Sequence, residues 1–296
     1  MRIVSLLPSA TEILFAVGAG DAVVGVTVEC DHPPEARERA IVSTTTIPEG
    51  LAPAAVDAAV TATMAAGGDL YRLDRGALAH LDADLVVTQD LCAVCALDAG
   101  DVQEALDHLG CDGAVLTVAP TDLGSVLASI GELGAAAGAR EAAAALVASL
   151  RERIDAVAAR VAGRPAVPVL LLEWTDPPFA PGHWIPEMVA LAGGRPALGA
   201  AGARSERITW DAVAGCGAAV VVGAPCGLAL EEAAAATRDV LGRGLLPAGV
   251  PVWAVDANAS WARPGPRLVD GIEDLAGILH PGAVPPPDPG RALRLR

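Results

Sequence analysis

Short apolar runs alternate with Ala- and Leu-rich stretches along most of the chain, and this alternation constrains the fold more than any single motif. The runs at 3–7, 23–28, 85–88, 115–118, 167–172, 218–222 and 252–255 are continuously apolar rather than alternating. Strands buried on both faces of a parallel sheet read this way. The intervening stretches have helix-forming composition, so the expected class is α/β, with helices covering both faces of parallel-rich sheets. The runs fall into two sets, which predicts two Rossmann-like lobes, 1–121 and 165–280. Between them, 122–164 is rich in Ala, Leu, Glu and Arg and free of proline, ending at Gly163-Arg164-Pro165. High helix propensity with a Gly-x-Pro stop predicts one long connecting helix or a helix pair. The tail 281–296 is proline-rich and is expected to be irregular.

Composition narrows the partners. Hydrophobic residues make up 53% of the 296-residue chain. No uninterrupted apolar run reaches the roughly 18 residues a membrane-spanning helix needs, so no membrane insertion is expected. The formal charge of −16, from 36 acids against 20 bases, works against phosphate-backbone contacts, so nucleic acid is not an expected partner. The first residues, "MRIVSLLPSATE", carry one arginine before a short strand, without the long apolar region of an export signal. A cytoplasmic location is the expectation. There, Cys30, Cys92, Cys95, Cys111, Cys216 and Cys226 would be free thiols or ligands rather than disulfides.

Polar groups collect after the strands. In open α/β sheets, ligands bind outside the carboxyl ends of the strands, and the two rims are expected to face one another across a ligand cleft. The first rim offers Ser9, Thr11, Glu29, His32, Asp90, Cys92 and Cys95. The second offers Glu173, Trp174, Phe179, His183, Trp184, Trp210, Cys226, Asp256, Trp261 and Arg263. Ser9 stands three residues before Glu12, ahead of an apolar run, which is capping-box spacing and predicts a helix starting at Ser9. The CxxC of Cys92 and Cys95, with Cys226, His183, His32 and the carboxylates Glu29 and Glu173, has the donor types of a zinc or iron site. An open position on such a metal would make the chain a metalloenzyme, with Glu29 or Glu173 as general base. Redox pairing of the two thiols is disfavoured, since no thioredoxin-like pattern surrounds them.

The stretches "SLLPSATEILFAVG", "GVTVECDHPPEA", "DADLVV", "LLEWTDPPFAPGHWIPEMVALAGG" and "SWARPGPRLVDGIEDLA" resemble solute-binding proteins of the class with a rigid interlobe helix. The resemblance is to the vitamin B12 (cobalamin) binding proteins of ABC importers and runs from about residue 2 to 280. It implies two lobes joined by a long helix, a corrinoid held between them, and an ABC permease or a corrinoid-using enzyme as receiver. Carried over position by position, ligand contacts fall on His32, Phe179, Trp210, Asp256 and Arg263. Asp74 falls where exported relatives dock on a permease, with Glu206 or Asp211 as its counterpart.

Two departures stand out: the chain shows no signal peptide or lipobox, and "TQDLCAVCA" replaces the usual aromatic wall. Phe179, Trp174, Trp184 and Trp261 still offer flat apolar contact, and His32 or His183 an axial base for cobalt. Corrinoid carrier and Cys/His/Glu metal protein are therefore the two readings left open. A siderophore carrier ranks behind both, because Arg263 and Arg267 are too few cations for a heavily anionic chelate.

Overall fold

The computed structural model describes residues 1–48, 50–89 and 113–296. Asp90, Cys92, Cys95, His108 and Cys111 lie outside the described residues. The described chain forms two compact α/β units. One comprises 1–51, 58–120 and 125–148, and the other 52–57, 121–124 and 149–296.

The first unit is built on strands β1 (Ile3–Ser5), β2 (Val23–Thr27), β3 (Ala40–Thr45), β4 (Tyr71–Leu73), β5 (Leu85–Thr88) and β6 (Ala114–Thr117), in the order β4-β3-β2-β1-β5-β6. All neighbours are parallel except β3 and β4. Residues of β1, β2 and β5 are almost entirely buried, as their apolar runs require. One face carries a core of Val4, Leu6, Val42, Leu78, Ala83 and Val86. Gly25 sits where this face is tightest: a Cβ there would meet Leu81 Cδ1 at 2.6 Å.

The second unit repeats the plan with β7 (Val167–Leu172), β10 (Gly194–Pro196), β12 (Val220–Gly223), β13 (Val252–Val255) and β14 (Ala292–Arg294), ordered β10-β7-β12-β13-β14. Only β14 runs antiparallel to its neighbour. Its core gathers Leu170, Leu172, Val213, Val221, Val240 and Val252, with Trp210 and Leu295 packed against it. A small antiparallel sheet, β11-β9-β8, stands beside it, made of β8 (Trp174–Thr175), β9 (Pro178–Ala180) and β11 (Glu206–Arg207).

The connector is a helix pair, Leu123–Ala136 and Arg140–Val161. Gly138 breaks it with φ +74°, the left-handed backbone that ends helices at glycine cheaply. Ala139 N then donates to Gly134 O at 2.7 Å. Gly134 also lets the helices meet, because a Cβ there would lie 2.2 Å from Ala143 Cβ.

The tail differs from expectation. Rather than ending irregularly, it closes the second sheet as β14, with Val255 opposite Ala292 and Ala254 opposite Leu293. Three residues are too short for a periodic signal, and the prolines before them dominate the composition. The helix Leu268–Leu279 also holds the tail. Gly277, on the helix Leu268–Leu279, has Pro285 O where its Cβ would be, at 2.3 Å. The buried Asp274 carboxylate accepts from Arg291 Nε at 2.7 Å and from Asp288 N at 2.9 Å. Burial pushes the Asp274 carboxyl upward, and the Arg291 and Asp288 hydrogen bonds pull it back. Removing one partner of a shielded pair strands the other charge. Arg291→Met should therefore cost about 3 kcal/mol in urea unfolding at pH 7; a loss below about 0.5 kcal/mol, the size of a surface pair, would show that the tail is held by packing alone.

Candidate functional site

Each rim is set by where buried strands stop. In the first unit, β1 ends at Ser5 and the chain turns into the helix Pro8–Ala16. The N-cap is Leu7, with Pro8 opening the helix and no side-chain cap. The capping box expected at Ser9 and Glu12 is thus corrected: proline suits the first helical position, where no N–H is needed, so the helix begins before Ser9. Ser9, Thr11 and Glu12 are all buried. Thr11 Oγ1 lies 2.9 Å from Ser5 Oγ and 3.1 Å from both Leu7 O and Cys30 Sγ. Ser9 and Thr11, expected among the ligand contacts, instead serve the interior, because the helix packs that turn against the sheet.

Beyond β2, Glu29 accepts from the hydroxyl of Tyr71, the one tyrosine of the chain, at 3.2 and 3.4 Å. Glu29 and His32 are half-buried. Asp74 caps the helix Arg75–Ala79, accepting from Ala77 N at 2.9 Å, and Glu206 and Asp211 are exposed.

In the second unit, β7 delivers Glu173, whose carboxylate accepts from Ser205 Oγ at 2.6 Å and from Gly182 N at 3.4 Å. Its backbone carbonyl takes Cys226 N at 2.9 Å, which ties the turn after β12 to the turn after β7. Cys226 itself is exposed. β13 delivers Asp256, which accepts from Ala259 N at 2.7 Å to start the helix Ala257–Ser260, while its own N–H donates to Arg291 O. The tail therefore fixes Asp256 from behind. Arg263 is buried, at 9% exposure.

His183 adopts φ +49°, an uncommon backbone for a residue with a Cβ. Its N–H donates to Ala203 O at 2.7 Å and its carbonyl accepts from Gly202 N at 3.0 Å, which holds the strained turn in place. The ring is half-buried, 5.6 Å from the Trp184 ring. Burial, and then the Arg204 charge, lower its pKa, which favours the unprotonated imidazole.

Two expected ligand aromatics are corrected. Trp184 and Trp261 are 5% and 1% exposed, and Trp184 Nε1 donates to Trp261 O at 2.8 Å. A Cβ on Gly271 would lie 3.2 Å from Trp261 Cε2, so these rings pack between helices and offer a ligand no surface. Trp210 leans on the second core. Trp174 and Phe179 keep half-exposed rings and stand opposite one another across β8 and β9. The described thiol, imidazole and carboxylate candidates (His32, Glu29, Glu173, His183 and Cys226) do not gather: no group of three able to hold a metal occurs among the described residues. Glu29 and Glu173 are engaged by Tyr71 and Ser205 instead. The sequence does not single out Tyr71, Ser205 or Arg207: Tyr71 and Arg207 lie in edge strands of two or three residues, too short to show periodicity, and Ser205 in the loop before β11.

Residues 3–240 match the model of the family described as Periplasmic binding protein. None of the curated proteins matches. Among solved structures, a periplasmic heme binding protein from Pseudomonas aeruginosa is similar at TM-score 0.73 and 21% identity, covering 99% of this chain and 97% of that one. The periplasmic vitamin B12 binding protein of Vibrio cholerae gives 0.67 and 20%, covering 94% and 96%. The heme-binding protein of Roseiflexus sp. RS-1 gives 0.68 and 21%, covering 95% and 98%. At these identities the likeness shows the fold. No described helix is long and apolar enough to cross a membrane.

A lowered pKa means that the unfolded chain binds the His183 proton first as pH falls. Stability is therefore intact above the ordinary histidine range and declines below it. His183→Asn, which tolerates the left-handed backbone and does not titrate, should lose less stability between about pH 7 and 5 than wild type in urea unfolding. Equal losses would contradict the assignment.

Proposed function

The chain belongs to the periplasmic binding protein family, and from that premise we propose that it captures a flat metal-tetrapyrrole ligand, a corrinoid in the first place, and passes it on without chemistry. The observation that carries this reading is the half-exposed Trp174 and Phe179 pair on the strand-end segment that also holds the half-buried His183. Aromatic faces take a conjugated or flat macrocycle by stacking, and an imidazole kept unprotonated has a lone pair to offer a metal at the ring centre. Asp256, in the same unit, would complete the contacts with a polar group at the ring's edge. The haem and vitamin B12 binders among the fold neighbours support the ligand class.

The receiver in this proposal is an ABC permease or a corrinoid-using enzyme. A cytoplasmic chain would serve the enzyme and an exported one the permease, so cell fractionation distinguishes the two.

Absorbance titration with cyanocobalamin tests the reading. One equivalent should saturate the wild-type protein, and Phe179→Ala should weaken binding about tenfold, the loss of one well-stacked ring. Wild-type protein that leaves the corrinoid spectrum and the tryptophan emission unchanged would contradict it.

A further inference from the structure

Strand register puts three flat side chains in a row on one face of the small sheet. Trp174 stands opposite Phe179, and Phe179 opposite Arg207; directly opposed residues of antiparallel strands share a face and touch. The Arg207 guanidinium lies 5.6 Å from the centroid of the Phe179 ring, within cation–π range. Indole, phenyl and guanidinium thus form one continuous plate.

Both ends of the plate are tied to the same helical turn. Trp174 Nε1 donates to Pro53 O at 3.3 Å as well as to Asp176 O at 3.1 Å. Arg207 Nη2 donates to both carboxylate oxygens of Asp57, at 2.9 and 2.8 Å. Pro53 and Asp57 open the helix Pro53–Ala65 and cluster with the second unit.

This tie has an electrostatic consequence. Asp57 is 19% exposed and Arg207 54% exposed, so the acid is the sheltered partner and the guanidinium the one that meets a ligand. Nε and Nη1 of Arg207 have no partner among the described residues. The plate therefore ends in N–H donors yet carries no net charge. Such an edge suits neutral acceptors such as amide carbonyls. A ligand carboxylate would face Asp57 along with Arg207 and gain little, whereas an unpaired guanidinium would grip it bidentately.

We propose that Asp57 is a specificity-determining residue: by keeping Arg207 neutralised it favours a tetrapyrrole edged with amides, as in a corrinoid, over one edged with carboxylates, as in haem. This rests on the tetrapyrrole reading above and names which branch of that ligand class the site selects.

The test compares full-length wild type, Asp57→Asn and Arg207→Met for binding of cyanocobalamin, hemin and hemin dimethyl ester, with circular dichroism to confirm folding. The ester keeps the ring and removes the carboxylates. Wild type should prefer cyanocobalamin to hemin. Asp57→Asn should raise hemin affinity about fivefold relative to the ester, as expected for one newly available charged pair, and leave cyanocobalamin within about twofold. Arg207→Met, which leaves the Asp57 carboxylate uncompensated, should leave the hemin-to-ester ratio at or below its wild-type value. An unchanged ratio in Asp57→Asn, or a raised one in Arg207→Met, overturns the inference while the tetrapyrrole reading stands. Wild type that binds none of the three rings overturns both.

Discussion

Neither face of Val220–Gly223 meets solvent: all four residues are buried, paired to β7 on one side and β13 on the other. β1 is in the same position between β2 and β5. Parallel strands buried on both faces can carry a polar side chain only where a neighbour satisfies it, as Thr11 does for Ser5. Groups that meet a ligand must therefore appear where the strands end. Glu173, Cys226 and Asp256 follow β7, β12 and β13 immediately or within three residues, and Glu29 and His32 follow β2. The arrangement of the candidate site is thus a consequence of how the sheets are solvated.

Holding those ends in place falls to short polar connections. Glu173 is a junction of this kind: its side chain binds Ser205 and Gly182, and its backbone carbonyl binds Cys226. Asp256 is fixed by its own cap and by the carbonyl of Arg291, whose side chain is in turn anchored on Asp274. The C-terminal tail thus fixes the position of Asp256. His183 carries its strain in a turn clasped by Ala203 and Gly202, and observed strain of this kind is a pointer to function.

The long parallel strands could be read from the sequence because burial writes itself into continuous apolar runs; β5, β7 and β13 have the bounds those runs give. The two-lobed α/β class followed from the same pattern, whereas the clustering of 52–57 with the second unit and of 125–148 with the first did not. β8, β9, β11 and β14, at two or three residues each, carry no period to read. Aromatic residues could be counted but not sorted: Trp261 and Phe179 both follow strand ends, yet the first is sealed behind Gly271 and the second stands half-open on an edge sheet. Arg207 gained meaning only from its register opposite Phe179. Ser9 and Thr11 are lost to the interior because the helix Pro8–Ala16 is covered on nearly every side, with each residue from Ser9 to Leu14 buried.

The central claim, that a tetrapyrrole is held by the strand-end segments, is tested most directly by hydrogen–deuterium exchange with and without saturating cyanocobalamin. The account predicts slowed exchange in the segments after β7 and β13 and in β8, β9 and β11, with the strand interiors unchanged. Protection elsewhere on the chain, with those segments unaffected, would contradict it.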